Sequence, residues 1–236
     1  MQELLLEKEY EQIAENMING ISFFLPGFEG TKEEGLRLGC KQYIILASGY
    51  DTFSLRNEDK TLSVFEMDLP ELLADKMQRI KRMGKETDTV FVPCNLAEST
   101  WMEKLLQSGY RPMQKSFGSL LGISYYLSKE EFQSLLQRLS QFMAKGSAIC
   151  FDYPSKEDSL ESRTNRQLAK EAGEHMKAMY SDLELEEVLS SCGFEKTMHL
   201  NQDEITRQYF ADYNNCNKAQ PMKAPAGVGY ILAKKK

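Results

Sequence analysis

Short apolar runs rich in β-branched and aromatic residues alternate with stretches of helical spacing, and no other feature constrains the fold of this chain as strongly. The runs are "YIILAS" (43–48), "LSVFEMD" (62–68), "TVFVPCN" (89–95), "SFGSLLG" (116–122) and "SAICFDY" (147–153). Between them, "PELLADKMQRIKRMG" opens with Pro70, favoured in a first helical turn, and stops at Gly84. "TWMEKLLQSG" stops at Gly109. "SKEEFQSLLQRLSQFMAKG" has Ser128 as N-cap, Glu131 at capping-box spacing and Gly146 at its end. Alternation of this kind builds a parallel sheet with helices on both faces, and right-handed crossovers make it doubly wound.

After the fifth run the rhythm changes. Residues 155–181 are polar and helical without a strand. A short helix, "LELEEVLSSCG", leads into "FEKTMHL" (194–200), and the chain closes with "GVGYILAKK" (227–235). Two late strands separated by a long excursion suit an edge pair with the last strand inserted antiparallel. The expected architecture is therefore a seven-stranded α/β sheet in the order 3-2-1-4-5-7-6. With neither repeats nor a low-complexity linker, residues 1–236 read as one domain. Its parts are a helical cap over 1–40, a ligand-binding half over 41–154, and helices and terminal strands over 155–236.

In an open parallel sheet, ligands bind beyond the carboxyl ends of the strands, where the strand order reverses. The first strand breaks there at a bare turn, Ala47-Ser48-Gly49, followed by Tyr50, Asp51 and Thr52. Small residues let a ligand approach the backbone, although an ordinary tight turn has the same composition. A dinucleotide fingerprint needs glycine at 47, 49 and 52, and only Gly49 is present. The second strand shifts the balance, because "VFEMDLP" places Glu66 and Asp68 at its carboxyl end. A carboxylate there can accept both hydroxyl protons of a ribose. An acid among Val, Phe and Met is also costly to bury without a purpose. Asp68 lies nearer the crevice, and Glu66 is expected to anchor the local turn. The third run ends in Asn95-Leu96, where an amide can meet the polar edge of an adenine and a leucine can cover its face. A helix cap is the competing reading of Asn95.

Together these segments resemble the leucine carboxyl methyltransferase family, which includes bacterial S-adenosylmethionine-dependent O-methyltransferases. "LASGYDTFSLR", "VFEMDLPELLADK", "CNLAESTWMEKLLQSGY" and "LGISYYLSKEEFQSLL" stand where that family has an "LGAGLDTR"-like turn, "FEVDLP", a "DL" pair and "EG-L--YL". The likeness is continuous over about residues 42–153. It implies a Rossmann-like class I methyltransferase fold and S-adenosyl-L-methionine as cofactor. The cofactor-binding residues it implies are Ala47, Ser48, Gly49, Asp51, Met67, Asp68, Asn95 and Leu96. Ala47 replaces a turn glycine, Phe53 an arginine, Asn95 an aspartate, and Leu121 a glutamate that helps place the cofactor.

Three functions follow. The first is methyl transfer to a carboxylate or hydroxyl of a small-molecule or peptide substrate, with no catalytic residue assigned. The second is a family member that has lost catalysis and at most binds the cofactor. The third is a nicotinamide-dependent oxidoreductase, against which the missing glycines argue. Tyr126, Tyr153 and His199 lie near strand ends and read as packing or structural residues, His199 because no carboxylate beside it is visible.

Composition narrows the partners. A net charge of −6 disfavours a nucleic-acid surface. The five cysteines lack metal-ligand spacing and the two histidines lie far apart, so no metal is expected. No apolar stretch reaches the length of a membrane span, and the opening residues lack a signal-peptide pattern, which predicts a cytoplasmic protein.

Overall fold

The computed structural model describes residues 39–236, except positions 172, 174 and 175 and the side chains at 165, 168 and 169. The expected helical cap over 1–40 therefore falls almost wholly outside the described residues, as does His175. The strands are β1 (Gln42–Leu46), β2 (Ser63–Asp68), β3 (Val90–Pro93), β4 (Ser116–Leu120), β5 (Ala148–Pro154), β6 (Phe194–Leu200) and β7 (Val228–Lys235). They form one sheet in the order β3-β2-β1-β4-β5-β7-β6. The pairs among β1 to β5 are parallel, and β7 runs antiparallel to both β5 and β6. The order and the single reversed strand are those expected.

Helices α1 (Phe53–Arg56), α2 (Pro70–Arg82), α3 (Trp101–Gln107) and α4 (Lys129–Phe142) connect the first five strands. Then come α5 (Leu160–Glu171), α6 (Asp182–Ser191), α7 (Gln202–Tyr209) and α8 (Ala211–Cys216). Among the described residues, the polar stretch after β5 is thus helical only over α5. Side-chain chemistry fixes several helix starts. Ser128 and Glu131 close the expected capping box on α4, and Ser181–Glu184 and Asn201–Glu204 do the same for α6 and α7. Each box satisfies two N–H groups that the first turn leaves unpaired. Among the described residues, no helix is long and apolar enough to cross a membrane.

β1, β4 and β5 are buried along their whole length, which makes them the centre of the sheet. Alternation sends their side chains to two cores. On one face Ile44, Leu46, Phe65, Met67, Phe151 and Ile231 pack with residues of α3, α4 and α6. On the other, Tyr43, Ile45, Val64, Phe117, Ala148 and Cys150 pack together.

Three strands stop earlier than their apolar runs suggest. β1 ends at Leu46 rather than Ser48, β3 at Pro93 rather than Asn95, and β4 at Leu120 rather than Gly122. The run continues, but the backbone leaves the sheet. Ala47 takes φ +52° and Gly122 takes φ +70°, which ends ladder pairing whatever the side chains. The residues so released form the rim of the crevice above the carboxyl ends.

Candidate functional site

Asp68 is the junction of the first three strand ends. Its Oδ2 accepts the Gly49 N–H at 2.7 Å, and its Oδ1 accepts the Leu69 N–H at 2.7 Å. Its own carbonyl accepts from Cys94, just past β3, at 2.8 Å. The β1 turn is held as well by Ser48 N–H donating to the Met67 carbonyl at 3.0 Å and by Asp51 N–H donating to the Ser48 carbonyl at 2.8 Å. Two N–H bonds leave the Asp68 carboxylate further acceptor capacity, since an ionised carboxylate has about four lone-pair directions.

The turn itself is bare. Gly49 takes φ +47°, and a Cβ built there would meet nothing within 4 Å among the described residues. The Ser48 hydroxyl is buried with no hydrogen-bond partner among the described residues. Asp51 turns inward on the chain, its Oδ1 accepting from Phe53 N–H at 2.6 Å to start α1. Met67 faces the large core, so only its backbone takes part in the turn.

Glu66 does not anchor the turn. It is completely buried and forms an ion pair with Lys76 of α2, itself almost fully buried. Burial pushes the Glu66 carboxyl above its ordinary range, and the Lys76 ammonium pulls it back. Asp68 and Glu66 share a strand face, as alternation requires, but only Asp68 reaches the crevice turn.

At the third strand end, Asn95 is exposed and its side chain serves its own turn: Oδ1 accepts from Ala97 N–H at 3.0 Å. The cap reading of Asn95 does not hold, because the N-cap of α3 is Thr100 and Asn95 stabilises only the turn ahead of it. Leu96 packs half-buried against the large core. Leu121, past β4, is half-buried against the second core.

Two acid-centred groups on β5 escaped sequence reasoning. Asp152 is buried, and the Gly122 N–H donates to both its oxygens, at 2.9 and 3.1 Å. Burial raises its carboxyl to about 6, with the Gly122 N–H and the Tyr125 hydroxyl working in the other direction. The signal was available, since "AICFDYP" embeds an acid in an apolar strand just as "VFEMD" does. The second group is Tyr153, His199 and Asp182. The Tyr153 hydroxyl lies 2.8 Å from His199 Nε2 and donates to Asp182 Oδ1 at 3.1 Å, and Asp182 Oδ2 lies 3.5 Å from His199 Nδ1. His199 thus has the carboxylate neighbour that its sequence context does not reveal. Tyr126, by contrast, is an exposed residue of the turn after β4.

Sheet order decides which group can serve a ligand on the β1 turn. Neighbouring strands lie about 4.8 Å apart, so β5 is roughly 10 Å from β1 and β6 roughly 19 Å. The Tyr153 ring crosses β7 toward β6, passing so close to Gly229 that a Cβ there would lie 2.5 Å from it. That cluster points away from the turn and fastens the antiparallel edge.

A profile of the leucine carboxyl methyltransferase family matches residues 3–140. The chain belongs to this family. Its relative YktD of Bacillus subtilis (strain 168), whose name places it among the S-adenosyl-L-methionine-dependent methyltransferases, is 30% identical over 275 aligned positions. The alignment covers 99% of this chain and 88% of YktD. It runs over more positions than this chain has residues, so the relative carries stretches absent here. A second relative, from Mycobacteroides abscessus, is named for the same dependence and is 28% identical over 180 residues, 75% of this chain and 57% of that protein. In three dimensions this family member resembles the magnesium protoporphyrin IX methyltransferase of Synechocystis PCC 6803, solved with bound S-adenosylhomocysteine. The TM-score is 0.56 at 10% identity, over 94% of this chain and 82% of that one. The likeness establishes the Rossmann-like fold of class I methyltransferases.

Proposed function

We propose that this family member is an S-adenosylmethionine-dependent O-methyltransferase that binds its cofactor across the carboxyl ends of β1, β2 and β3. The observation that carries this reading is the Asp68 junction, a buried residue whose carboxylate holds the β1 turn and whose carbonyl holds the end of β3, beside a glycine whose missing Cβ meets no described atom within 4 Å. These residues suit an adenosyl amino acid. Gly49 leaves room for the ligand against the backbone, Asp68 has lone pairs left for ribose hydroxyls, and Leu96 lies where an adenine face needs an apolar cover. The Ser48 hydroxyl, without a partner among the described residues, offers one more polar contact. When bound, the cofactor supplies an electrophilic methyl group.

The chain's own task is then to position an acceptor oxygen and exclude water, which favours reaction by proximity. We assign the donor to residues 41–154 and part of the acceptor surface to 155–236. The departures from the family pattern do not undo this geometry. Ala47 reaches the positive φ that the turn needs, so losing the glycine costs strain rather than shape. An antiparallel last strand also differs from the parallel end of a dehydrogenase sheet, which weighs against a nicotinamide cofactor.

Calorimetry with S-adenosylhomocysteine and with NAD tests the reading. Binding of the first and not of the second is expected. Asp68→Ala should lower S-adenosylhomocysteine affinity at least about tenfold, or about 1.4 kcal/mol, while the protein still melts cooperatively. Tighter binding of NAD, or unchanged affinity in the folded variant, would overturn the assignment.

A further inference from the structure

Resting on the methyltransferase reading above, we infer that Asp152 receives the proton of a phenolic hydroxyl, so that the methyl acceptor is a phenol and not a carboxylic acid. The two acceptor classes place opposite demands on a site. A carboxylate needs a cation and no base, whereas a phenol needs a base and tolerates an anion beside it.

Placement comes first. Asp152 and Asp68 lie on the same face of the sheet, because Cys150 and Ala148 on one strand and Val64 on the other belong to the second core. Both sit at carboxyl ends, on strands separated by β1 and β4. An acceptor oxygen lying between β4 and β5 would therefore be next to Asp152 and beside a donor seated on the β1 turn.

Chemistry comes second. The rim segments 47–54, 94–100 and 121–128 contain no lysine or arginine. Lys156, on the segment after β5, is already paired with Glu184 at 2.6 Å. Among the described residues, the groups that face Asp152 are Tyr125 from the turn after β4, Tyr230 as its register partner on β7, and Cys150 two residues back on its own strand. None of them is cationic. An ionised acceptor acid there would meet Asp152 with no countercharge among these groups, and like charges in a buried site disfavour each other.

Geometry comes third. The Gly122 N–H fixes the Asp152 carboxylate from one side, and Tyr125 engages it as well. The backbone N–H of Asp152 itself is a third donor, and of about four lone-pair directions one remains for an incoming hydroxyl. A carboxyl raised to about 6 is mostly ionised at neutral pH, yet more basic than an ordinary aspartate, as a general base should be. Tyrosine hydroxyls, with an ordinary pKa near 10, show how much more readily a phenol than an alkyl alcohol gives up its proton. In the transfer, the phenol O–H bond breaks and its proton moves to Asp152. The oxygen forms the new bond to the methyl carbon, and the methyl–sulfur bond breaks with its electron pair remaining on sulfur. Asp152 then returns the proton to solvent.

The test uses the full chain, S-adenosylhomocysteine, and an equimolar mixture of para-substituted phenols and para-substituted benzoates. In wild type with S-adenosylhomocysteine bound, ligand-observed NMR should show phenol binding that strengthens severalfold from pH 5 to pH 7.5. In Asp152→Asn that dependence should be flat, while S-adenosylhomocysteine affinity stays within about twofold. Transfer from methyl-labelled S-adenosylmethionine should leave label that survives alkali, as aryl ethers do, and Asp152→Asn should lower the rate about 10²–10⁴-fold. Asp152→Glu, which keeps the base, serves as the second variant if Asp152→Asn does not fold, and should keep more activity. Alkali-labile methyl ester, or intact S-adenosylhomocysteine binding with no labelled phenol, would overturn the phenol assignment alone. Failure of wild type to bind S-adenosylhomocysteine would overturn the donor site, and this inference with it.

Discussion

Two glycines at the carboxyl side of the sheet show how differently its halves are built. Gly49, beside β1, has no described residue within 4 Å of where a Cβ would stand, whereas a Cβ on Gly229 of β7 would lie 2.5 Å from the Tyr153 ring. The first glycine keeps space open and the second lets an aromatic ring fill it. The β3-β2-β1 half thus ends in a crevice held by backbone bonds to Asp68. The β5-β7-β6 half ends in a packed edge, where Tyr153, His199 and Asp182 hold β6 and α6 against β5. Buried acids occur in both, and their partners differ. Glu66 has a countercharge in Lys76, whereas among the described residues Asp152 has backbone N–H groups and the Tyr125 hydroxyl.

That contrast breaks most visibly at the ion pair. Lys76→Met alone leaves Glu66 buried without a countercharge and should cost about 3–5 kcal/mol. The Glu66→Leu/Lys76→Met pair should recover most of the loss, because two charges then leave the core together. Urea melts of both variants measure it, and a single-variant loss below about 1 kcal/mol would show that the pair is solvated.

Asp152 should reveal itself through pH. Its carboxyl is raised from 3.8 to about 6, so between those values the folded state holds more protons than the unfolded state. Stability must then fall as pH rises through that window, the reverse of a salt-bridged aspartate. A rise of that size corresponds to about 3 kcal/mol. The stability of wild type relative to Asp152→Asn should drop by that order from pH 3.5 to pH 7, and a difference independent of pH would refute the raised carboxyl.

Gly229→Ala forces Tyr153 from its place and should cost about 1–3 kcal/mol by overpacking. S-adenosylhomocysteine affinity should hold, since this edge is remote from the β1 turn. Coupled losses of stability and affinity would mean that the two halves are not independent. The smallest effect belongs to Ala47→Gly. A non-glycine residue at φ +52° carries about 1–2 kcal/mol of strain. The added freedom of glycine in the unfolded chain offsets roughly half of this, so a gain of about 0.5 kcal/mol is expected in thermal melts.

Asp68 was legible in the sequence because an acid in an apolar strand is conspicuous, and "AICFDYP" carries the same signal for Asp152. The three overrun strands were not legible. Apolar composition continues through Ala47-Ser48, Cys94-Asn95 and Leu121-Gly122, while the backbone has already turned away. Periodicity reports which side chains prefer burial. It does not report where ladder hydrogen bonds stop.

Local signals determined the succession of strands along the chain and the helix starts at Ser128 and Pro70, because periodicity, caps and turn residues act over a few neighbours. The order of the strands within the sheet was legible only with the family resemblance. Only the tertiary structure decided that Glu66 meets Lys76 and that Asp152 meets the Gly122 N–H. It alone brought Tyr153 to Asp182 and His199 across separations of 29 and 46 residues. Those partners lie on different elements, and the crossovers and the inserted antiparallel strand bring them together. The energy of a buried charge depends on what stands within a few ångströms of it, and chain spacing does not fix that distance.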